Sequence, residues 1–267
     1  MRSEKVSVGH KTISYLISEP FAPAVRQRPL STVVFLHAFP LEAAMWEPNL
    51  GAIPDEWRAV APELRGEAGV TMNDLAGDVI DLLDHLGVAR AAVVGCSMGG
   101  YVLFEILKSA PAYLSAVGLV STRPGPDSEE ARKNRQKMIA LVDAEGVEAI
   151  AAQMVPKLLG VTTQRDRPDL PKQLRNFVVG NSPERVKAFI VAMMQRADST
   201  PLLANIEVPA LVVHGAEDAL IPPTEAEDMH RRIKHSRLEL IPSSGHLPNL
   251  EQALPFDAIL WNFLSQL

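Results

Sequence analysis

The chain has 267 residues, of which 47% are hydrophobic and 22% charged, and its formal net charge is −6. This length suits one large α/β domain with an insertion, and the composition is that of an ordinary globular protein. The mild acidity, without a dense basic stripe, argues against a nucleic-acid partner. A single cysteine, Cys96, excludes an internal disulfide and a multi-cysteine metal site.

Hydropathy gives no sign of a membrane partner. No apolar stretch approaches the roughly 18 residues that a transmembrane helix needs. The first nine residues are polar and alternating, unlike the apolar centre of a signal peptide. We therefore expect a cytoplasmic protein.

Short apolar runs recur along the chain, bounded by glycine, proline or polar turns. Such runs suit strands that are buried on both faces of a parallel sheet. They cover Val33–His37, Arg58–Ala61, Ala91–Gly95, Ala116–Val120, Ala210–His214 and Arg237–Ile241. Helical patterns lie between them, such as Leu75–Leu86, which ends at Gly87. This alternation predicts an α/β fold with a mostly parallel, doubly wound sheet.

The first strands are predicted to form a hairpin. Lys5–Val8 and Thr12–Ile17 alternate in polarity, which is typical of an antiparallel pair at a sheet edge. The turn is predicted at Gly9-His10. The stretch Phe21–Pro29 is predicted to be a loop.

The alternation of strands and helices stops after Ser121. Residues 124–196 show helical patterns and no convincing strand. Asp127 can cap a helix with an acidic first turn, and Ser182-Pro183 is a strong helix start. We predict a core formed by residues 1–123 and 197–267, with residues 124–196 as a helical cap seated over one edge of the sheet.

The strongest local signal is the sequence Gly95-Cys96-Ser97-Met98-Gly99-Gly100, between a predicted strand and a predicted helix. A G-x-S-x-G in this context is typical of a nucleophile elbow, where the serine occupies a sharp, strained turn. The helix N-terminus behind it offers N–H groups to a developing oxyanion. An ordinary glycine-rich turn is the alternative. Cys96 is predicted to be a buried structural thiol.

A serine hydroxyl needs a base to remove its proton, and His246 is the best candidate. It stands in a Gly/Ser/Pro-rich loop after a late strand, where ligands meet the sheet in open α/β folds. Among the other histidines, His37 and His214 end strands and are expected to be structural. The rest lie in a turn, at a helix end, or on or beside a charged helix, namely His10, His85, His230 and His235.

The base in turn needs a carboxylate to hold its tautomer. Asp218 follows a predicted strand and gives the chain order Ser97, Asp218, His246 that accompanies a nucleophile elbow. Glu217 is the nearest competitor, and Asp127, after an earlier strand, is a substitute. A plain turn aspartate remains a further alternative for Asp218.

An oxyanion hole requires a second N–H donor from the loop after Val33–His37. That loop reads His37-Ala38-Phe39-Pro40. We predict that the backbone N–H groups of Phe39 and Met98 form the hole. A turn that merely leads into Met45-Trp46 is the alternative.

With these residues in place, the chain resembles the α/β-hydrolase superfamily, in particular its small single-domain branch with a helical cap. The resemblance is carried by His37–Pro40, Ala61–Gly66, the turn around Ser97, His214–Asp218 and Gly245-His246. Relatives usually carry Gly at position 38 and Asp at position 63, where this chain has Ala and Glu. The serine argues against the haloalkane dehalogenases, in which this residue is Asp. The resemblance implies the α/β-hydrolase fold and no metal or organic cofactor.

The activity implied by the resemblance is hydrolysis of a small, rather apolar carboxylic ester through an acyl-enzyme on Ser97. Lactone opening of the enol-lactonase type and cofactor-free peracid formation stay open beside it. A ligand sensor with slow turnover and a fold relic are alternatives from other classes. Candidate residues for the substrate pocket are Trp46, Met138, Met154, Phe189 and Met193, with core packing as the alternative for most of them.

Overall fold

The computed structural model describes residues 1–9, 11–19 and 30–267. These residues contain one eight-stranded sheet. Its strands are β1 Arg2–Val8, β2 Lys11–Ser18, β3 Ser31–Leu36, β4 Trp57–Pro62, β5 Ala91–Cys96, β6 Leu114–Val120, β7 Ala210–Gly215 and β8 Ser236–Ile241. Each predicted strand is present. His10 of the predicted hairpin turn and the predicted loop Phe21–Pro29 lie outside the described residues.

The strands are ordered β1-β2-β4-β3-β5-β6-β7-β8. β1 pairs antiparallel with β2, and β2 pairs antiparallel with β4. Every other neighbouring pair is parallel. The predicted mostly parallel sheet with an antiparallel edge is confirmed. Five of the six strands from β3 onward are almost wholly buried, as strands covered by helices on both faces must be.

Helices connect the strands from β3 onward, and two more follow β8. They are α1 Glu47–Gly51, α2 Met72–His85, α3 Met98–Ser109, α4 Glu129–Glu145, α5 Val147–Leu158, α6 Val161–Asp166, α7 Leu170–Val179, α8 Pro183–Gln195, α9 Pro223–Arg232, α10 Pro248–Glu251 and α11 Ala253–Leu264. None in the described ranges is long and apolar enough to cross a membrane. The chain moves one way from β3 to β4 and the other way from β4 to β5. Right-handed connections therefore place α1 on one face and α2 and α3 on the other.

This reversal makes β3 and β5 the switch point of the sheet. Ligands in open α/β sheets bind in the crevice at the carboxyl ends of such strands. Helix α2 packs on α3, and α1 contacts α11, as two layers on opposite faces would. The loop after β3 and the turn after β5 therefore lie side by side at the place where a ligand is expected.

Five helices, α4 to α8, lie between β6 and β7, with no strand among them. Ser182 caps α8 as predicted, and its Oγ accepts a hydrogen bond from the N–H of Arg185 at 3.2 Å. The prediction that Asp127 caps α4 is wrong. Ser128 is the cap, with its Oγ accepting from the N–H of Ala131 at 3.1 Å. The carboxylate of Asp127 is occupied by arginines instead.

The inserted helices lie over the loops at the carboxyl ends of the parallel strands. Asn181 Nδ2 donates to the carbonyl of Pro40, after β3, at 3.2 Å. The N–H of His246, after β8, donates to the carbonyl of Leu158 at 3.1 Å. We propose that this segment acts as a cap, with the boundaries that the sequence predicts.

An ion pair joins helix α8 to the loop after β4. Arg185 donates to the carboxylate of Glu63 and, at 3.1 Å, to the carbonyl of Leu64. The N–H of Ala43 donates to the second oxygen of Glu63 at 2.9 Å. Burial raises the pKa of Glu63, but the neighbouring His37, Arg185 and the Ala43 N–H lower it by more, to about 2.

Glu63→Gln is therefore expected to lower the thermal unfolding midpoint in a pH-dependent way. Because the folded-state pKa is depressed, the carboxylate stabilises the fold above its ordinary pKa near 4.5, and this contribution is lost as pH falls through about 2. The difference in midpoint between wild type and variant, measured by circular dichroism from acid to neutral pH, should shrink as pH falls. A difference that is the same at every pH would contradict this prediction.

Candidate active site

Ser97 stands on a sharp turn between β5 and α3. Its backbone has a φ of 52° and a ψ of −109°, a conformation that costs a non-glycine residue about 1–3 kcal/mol. The glycines around it are required by close approach. A Cβ at Gly95 would overlap the backbone of Gly99, and a Cβ at Gly99 would overlap the carbonyl of Leu36 in β3. The turn therefore packs directly against the neighbouring strand, as a nucleophile elbow does.

Cys96 points into the interior, as predicted. The side chain is completely buried, with its Sγ 3.9 Å from the carbonyl oxygen of His246. Burial raises the pKa of this thiol. A protonated, enclosed thiol is neither a nucleophile nor a metal ligand, which leaves Ser97 as the candidate nucleophile of this turn.

His246 and Asp218 form a direct hydrogen bond. The Nδ1–H of His246 donates to Oδ2 of Asp218 at 2.7 Å, and both residues are almost fully buried. The other carboxylate oxygen, Oδ1, accepts from the N–H groups of Leu220 and Ile221 at 2.8 and 3.1 Å. With Nδ1 protonated, the neutral imidazole keeps a lone pair on Nε2, which is what a general base requires.

A second histidine approaches the same carboxylate. His214 Nε2 donates to the carbonyl of Ile221 at 2.8 Å and lies 3.1 Å from Oδ2 of Asp218. Burial raises the pKa of Asp218, but the charge of His246 and the hydrogen bonds from His214 and His246 hold it well below its ordinary value. Asp218 is therefore a carboxylate throughout the neutral pH range.

The loop that carries His246 is fixed by a buried glutamate. Glu251 Oε1 accepts from the N–H groups of Gly245 and Leu247, at 2.8 and 3.0 Å, on either side of the histidine. Its Oε2 accepts from the N–H of Gly160, in the inserted helical segment, at 2.8 Å. The backbone at residue 246 is thus held from both sides.

Ser97 and His246 line one cavity of about 510 Å³. Within the described ranges, no hydrogen bond joins Ser97 Oγ to the imidazole of His246. Such bonds are often long without substrate and shorten when the substrate binds. The structure therefore brings Ser97, Asp218 and His246 to one site, in which Asp218 and His246 are hydrogen-bonded to each other.

The two predicted oxyanion donors lie on either side of this site. Phe39 lines the cavity with Ser97, and Met98 opens helix α3 directly after the serine. Neither N–H has an acceptor among the described residues, although both residues are buried. Buried N–H groups without a partner are rare, so this pair is available for a ligand oxygen.

The competing acids have other partners. Glu217 binds Thr162, whose N–H donates to Oε2 at 2.8 Å and whose hydroxyl donates to Oε1 at 2.5 Å. Asp127 is bonded by Arg123, Arg135 and Arg196. Neither carboxylate is hydrogen-bonded to His246 in the described ranges, whereas Asp218 is, which makes Asp218 the candidate acid.

The predicted pocket residues divide into two groups. Met138, Met154 and Met193 line the cavity beside Ser97. The prediction that Trp46 and Phe189 line it is wrong. Trp46 is completely buried against Phe35, with ring centroids 4.8 Å apart, and Phe189 is 1% exposed, inside the core. A helical apolar pattern marks burial, but it does not separate core from cavity wall.

Several residues at the site were not anticipated from the sequence. Arg123 and Arg135 line the cavity, Glu251 holds the histidine loop, and His214 contacts the acid. Glu251 is the last residue of the short helix α10, where a glutamate is an ordinary sequence feature, so it gives no distinct signal in the sequence. His214 was assigned a structural role at a strand end, although its place four residues before Asp218 was visible.

No group of three or more His, Cys, Asp or Glu side chains within the described ranges could hold a metal ion. The groups that meet at the site are a hydroxyl, an imidazole and a carboxylate, with two N–H donors beside them.

Known proteins share this fold over most of the chain. Residues 31–253 match a family model described as alpha/beta hydrolase fold. A thermophilic esterase from Thermogutta terrifontis is 32% identical and superimposes with a TM-score of 0.89, covering 100% of this chain and 99% of that one. The 3-oxoadipate enol-lactonase 1 of Acinetobacter baylyi is 25% identical over 96% of this chain and 94% of its own length. An enol-lactonase structure from Burkholderia xenovorans LB400, 24% identical, covers 98% of this chain and 100% of that one with a TM-score of 0.88, a likeness that shows the fold alone. The chain belongs to the alpha/beta hydrolase fold family.

Proposed function

We propose that the protein is a serine hydrolase that cleaves a carboxylic ester bond, with Ser97 as nucleophile, His246 as base and Asp218 as the orienting acid. One observation carries the proposal. A buried Asp218–His246 hydrogen bond of 2.7 Å opens onto the same cavity as a serine held on a strained turn. Neither the bond nor the strain is needed to complete the core. The bond keeps His246 in the tautomer that can accept a proton, and the sharp turn presents the serine hydroxyl at the cavity.

The proposed reaction has two halves. Ser97 Oγ attacks the ester carbonyl while His246 Nε2 takes its proton, and the oxyanion receives hydrogen bonds from the N–H groups of Phe39 and Met98. His246 then protonates the departing alcohol. Water, deprotonated by the same nitrogen, releases the acid from the acyl-enzyme. No cofactor takes part in this sequence, and a cytoplasmic location remains a prediction.

Opening of a lactone is the second candidate. It uses the same groups, because a lactone is an internal ester whose leaving alcohol stays attached to the acyl chain. The name of the Acinetobacter baylyi relative, an enol-lactonase aligned over nearly the whole chain, supports it. The apolar methionines of the cavity wall suit the carbon skeleton of either substrate.

A fluorophosphonate probe tests the activated serine directly. We expect stoichiometric labelling, seen as one added probe mass on the intact protein and located on Ser97 by peptide mass spectrometry. His246→Ala should label at least about 100-fold more slowly, because the base contributes at least that factor. Label on another residue, or equal rates in the two proteins, would contradict the assignment.

A further inference from the structure

The cavity beside Ser97 carries an excess of positive charge. Four cations line it, namely Arg123, Arg135, Lys137 and Lys157. Among the lining residues within the described ranges, Asp127 is the only one with a carboxylate. The protein as a whole is acidic, with a formal charge of −6, so this concentration of cations is local.

Asp127 does not cancel this charge, because its single negative charge is shared by Arg123, Arg135 and a third arginine, Arg196. Arg196 is 7% exposed, and its Nη1 donates to Asp127 Oδ1 at 2.7 Å. Arg135 donates to the other oxygen through Nε, and Arg123 Nη2 lies 3.3 Å from Oδ1. Three guanidinium groups therefore share one carboxylate, which leaves net positive charge at the wall.

The two arginines of the wall have donors to spare. Each guanidinium carries five N–H groups. Within the described ranges, Arg123 uses only Nη2 and Arg135 only Nε for hydrogen bonds to protein. Their remaining N–H groups are free to receive a second carboxylate in the forked geometry that arginine favours. The lysines add charge without protein partners, since neither forms an ion pair with a described residue.

We propose that this wall is an anion subsite, and that the substrate is an ester or lactone bearing a second, ionised carboxylate. The inference rests on the proposed function, from which it takes the ester bond as the bond that is cleaved. Met138, Met154 and Met193 line the same cavity, so an aliphatic spacer joins the two ends of the substrate. Asp127 shows that these guanidinium groups bind a carboxylate within the folded protein.

A matched pair of esters tests the subsite. Mono-4-nitrophenyl adipate carries a free carboxylate, and methyl 4-nitrophenyl adipate has the same chain without the charge. The readout is the ratio of kcat/KM for the anionic ester to that for the neutral one, at fixed ionic strength. We expect a wild-type ratio of about ten or more, as charge-assisted hydrogen bonds would give.

Arg135→Gln and Arg123→Gln should each lower this ratio about tenfold, mainly through KM for the anionic ester. Arg132→Gln is the matched control. It removes the same charge from the same helix, but Arg132 is exposed and does not line the cavity, so the ratio should stay at the wild-type value. Lys157→Gln is a second test in a variant that should fold normally, because this exposed lysine forms no ion pair with a described residue. It should also lower the ratio.

The outcomes separate the two proposals. Ser97-dependent hydrolysis of both esters with a ratio near one would overturn the anion subsite and leave the hydrolase assignment intact. If neither ester is hydrolysed, the proposed function fails, and the anion subsite is then tested by the binding of adipate. Adipate should then raise the melting temperature of wild type and Ser97→Ala, and raise it less in Arg135→Gln. No shift in any of these proteins would overturn the subsite.

Discussion

Ser97→Ala is expected to reduce kcat for hydrolysis of a 4-nitrophenyl ester by roughly 10⁵-fold or more. Without the hydroxyl there is no acyl-enzyme, and the remaining groups can only assist attack by water. Steady-state rates of wild type and variant over a series of graded acyl chains would show the loss for every ester that wild type accepts. The variant should fold normally, because serine Oγ makes no hydrogen bond to a described residue.

The neighbouring cysteine supplies the control for this change. Cys96→Ala removes a side chain of similar size from the same turn, but that side chain is buried and lies outside the cavity lining. We expect its kcat to remain within a few-fold of wild type. Retained turnover in Ser97→Ala, or comparable losses in the two variants, would show that the turn contributes structure and that the nucleophile is elsewhere.

Asp218→Asn is expected to lower kcat by roughly 10⁴-fold while leaving the fold intact. The carboxylate oxygen that accepts from His246 Nδ1 would be replaced by an amide, whose NH₂ group favours the tautomer with its proton on Nε2. That tautomer cannot take a proton from Ser97. Because Asp218 stays ionised in the neutral range, its own titration should add no pH dependence to this loss between pH 6 and pH 8.

Glu217→Gln is the control for the acid, since Glu217 precedes Asp218 and was its competitor in the sequence. Its carboxylate binds Thr162 and does not touch His246. We expect kcat within a few-fold of wild type, measured with the same esters. If Glu217→Gln were the more damaging of the two changes, the acid would have been assigned to the wrong residue.

The sheet and the three proposed catalytic side chains were predictable because their signals are local. A continuous apolar run predicts a buried strand such as Ala91–Cys96. The glycines around Ser97 indicate a tight turn whose neighbouring positions have no room for a side chain. The chain order of Ser97, Asp218 and His246 adds a constraint that a single motif lacks. These features depend on residues near one another in sequence or on a fixed order.

The cavity wall was not predictable for the opposite reason. Arg123, Arg135 and Lys157 come from separate segments, and only the packing of the inserted helices brings them to one surface. Trp46 and Met138 look alike as apolar residues at helical positions, yet one lies in the core and the other faces the cavity. Both Asp and Ser serve as helix caps, so the sequence does not separate Asp127 from Ser128, and Arg196, one of the three arginines that bind Asp127, is distant in sequence.

The bonds that tie Gly160 to Glu251 and Leu158 to His246 have a consequence for how the protein can diversify. They link the backbone of His246, the proposed base, to residues 158–160 of the inserted segment. We therefore expect substitutions at residues 158–160 to change the turnover rate. Helix α4 is a separate element of the inserted segment, and it contributes Arg135 and Met138 to the cavity lining. We therefore expect that substitutions on α4 can change substrate selectivity without altering the proposed catalytic residues.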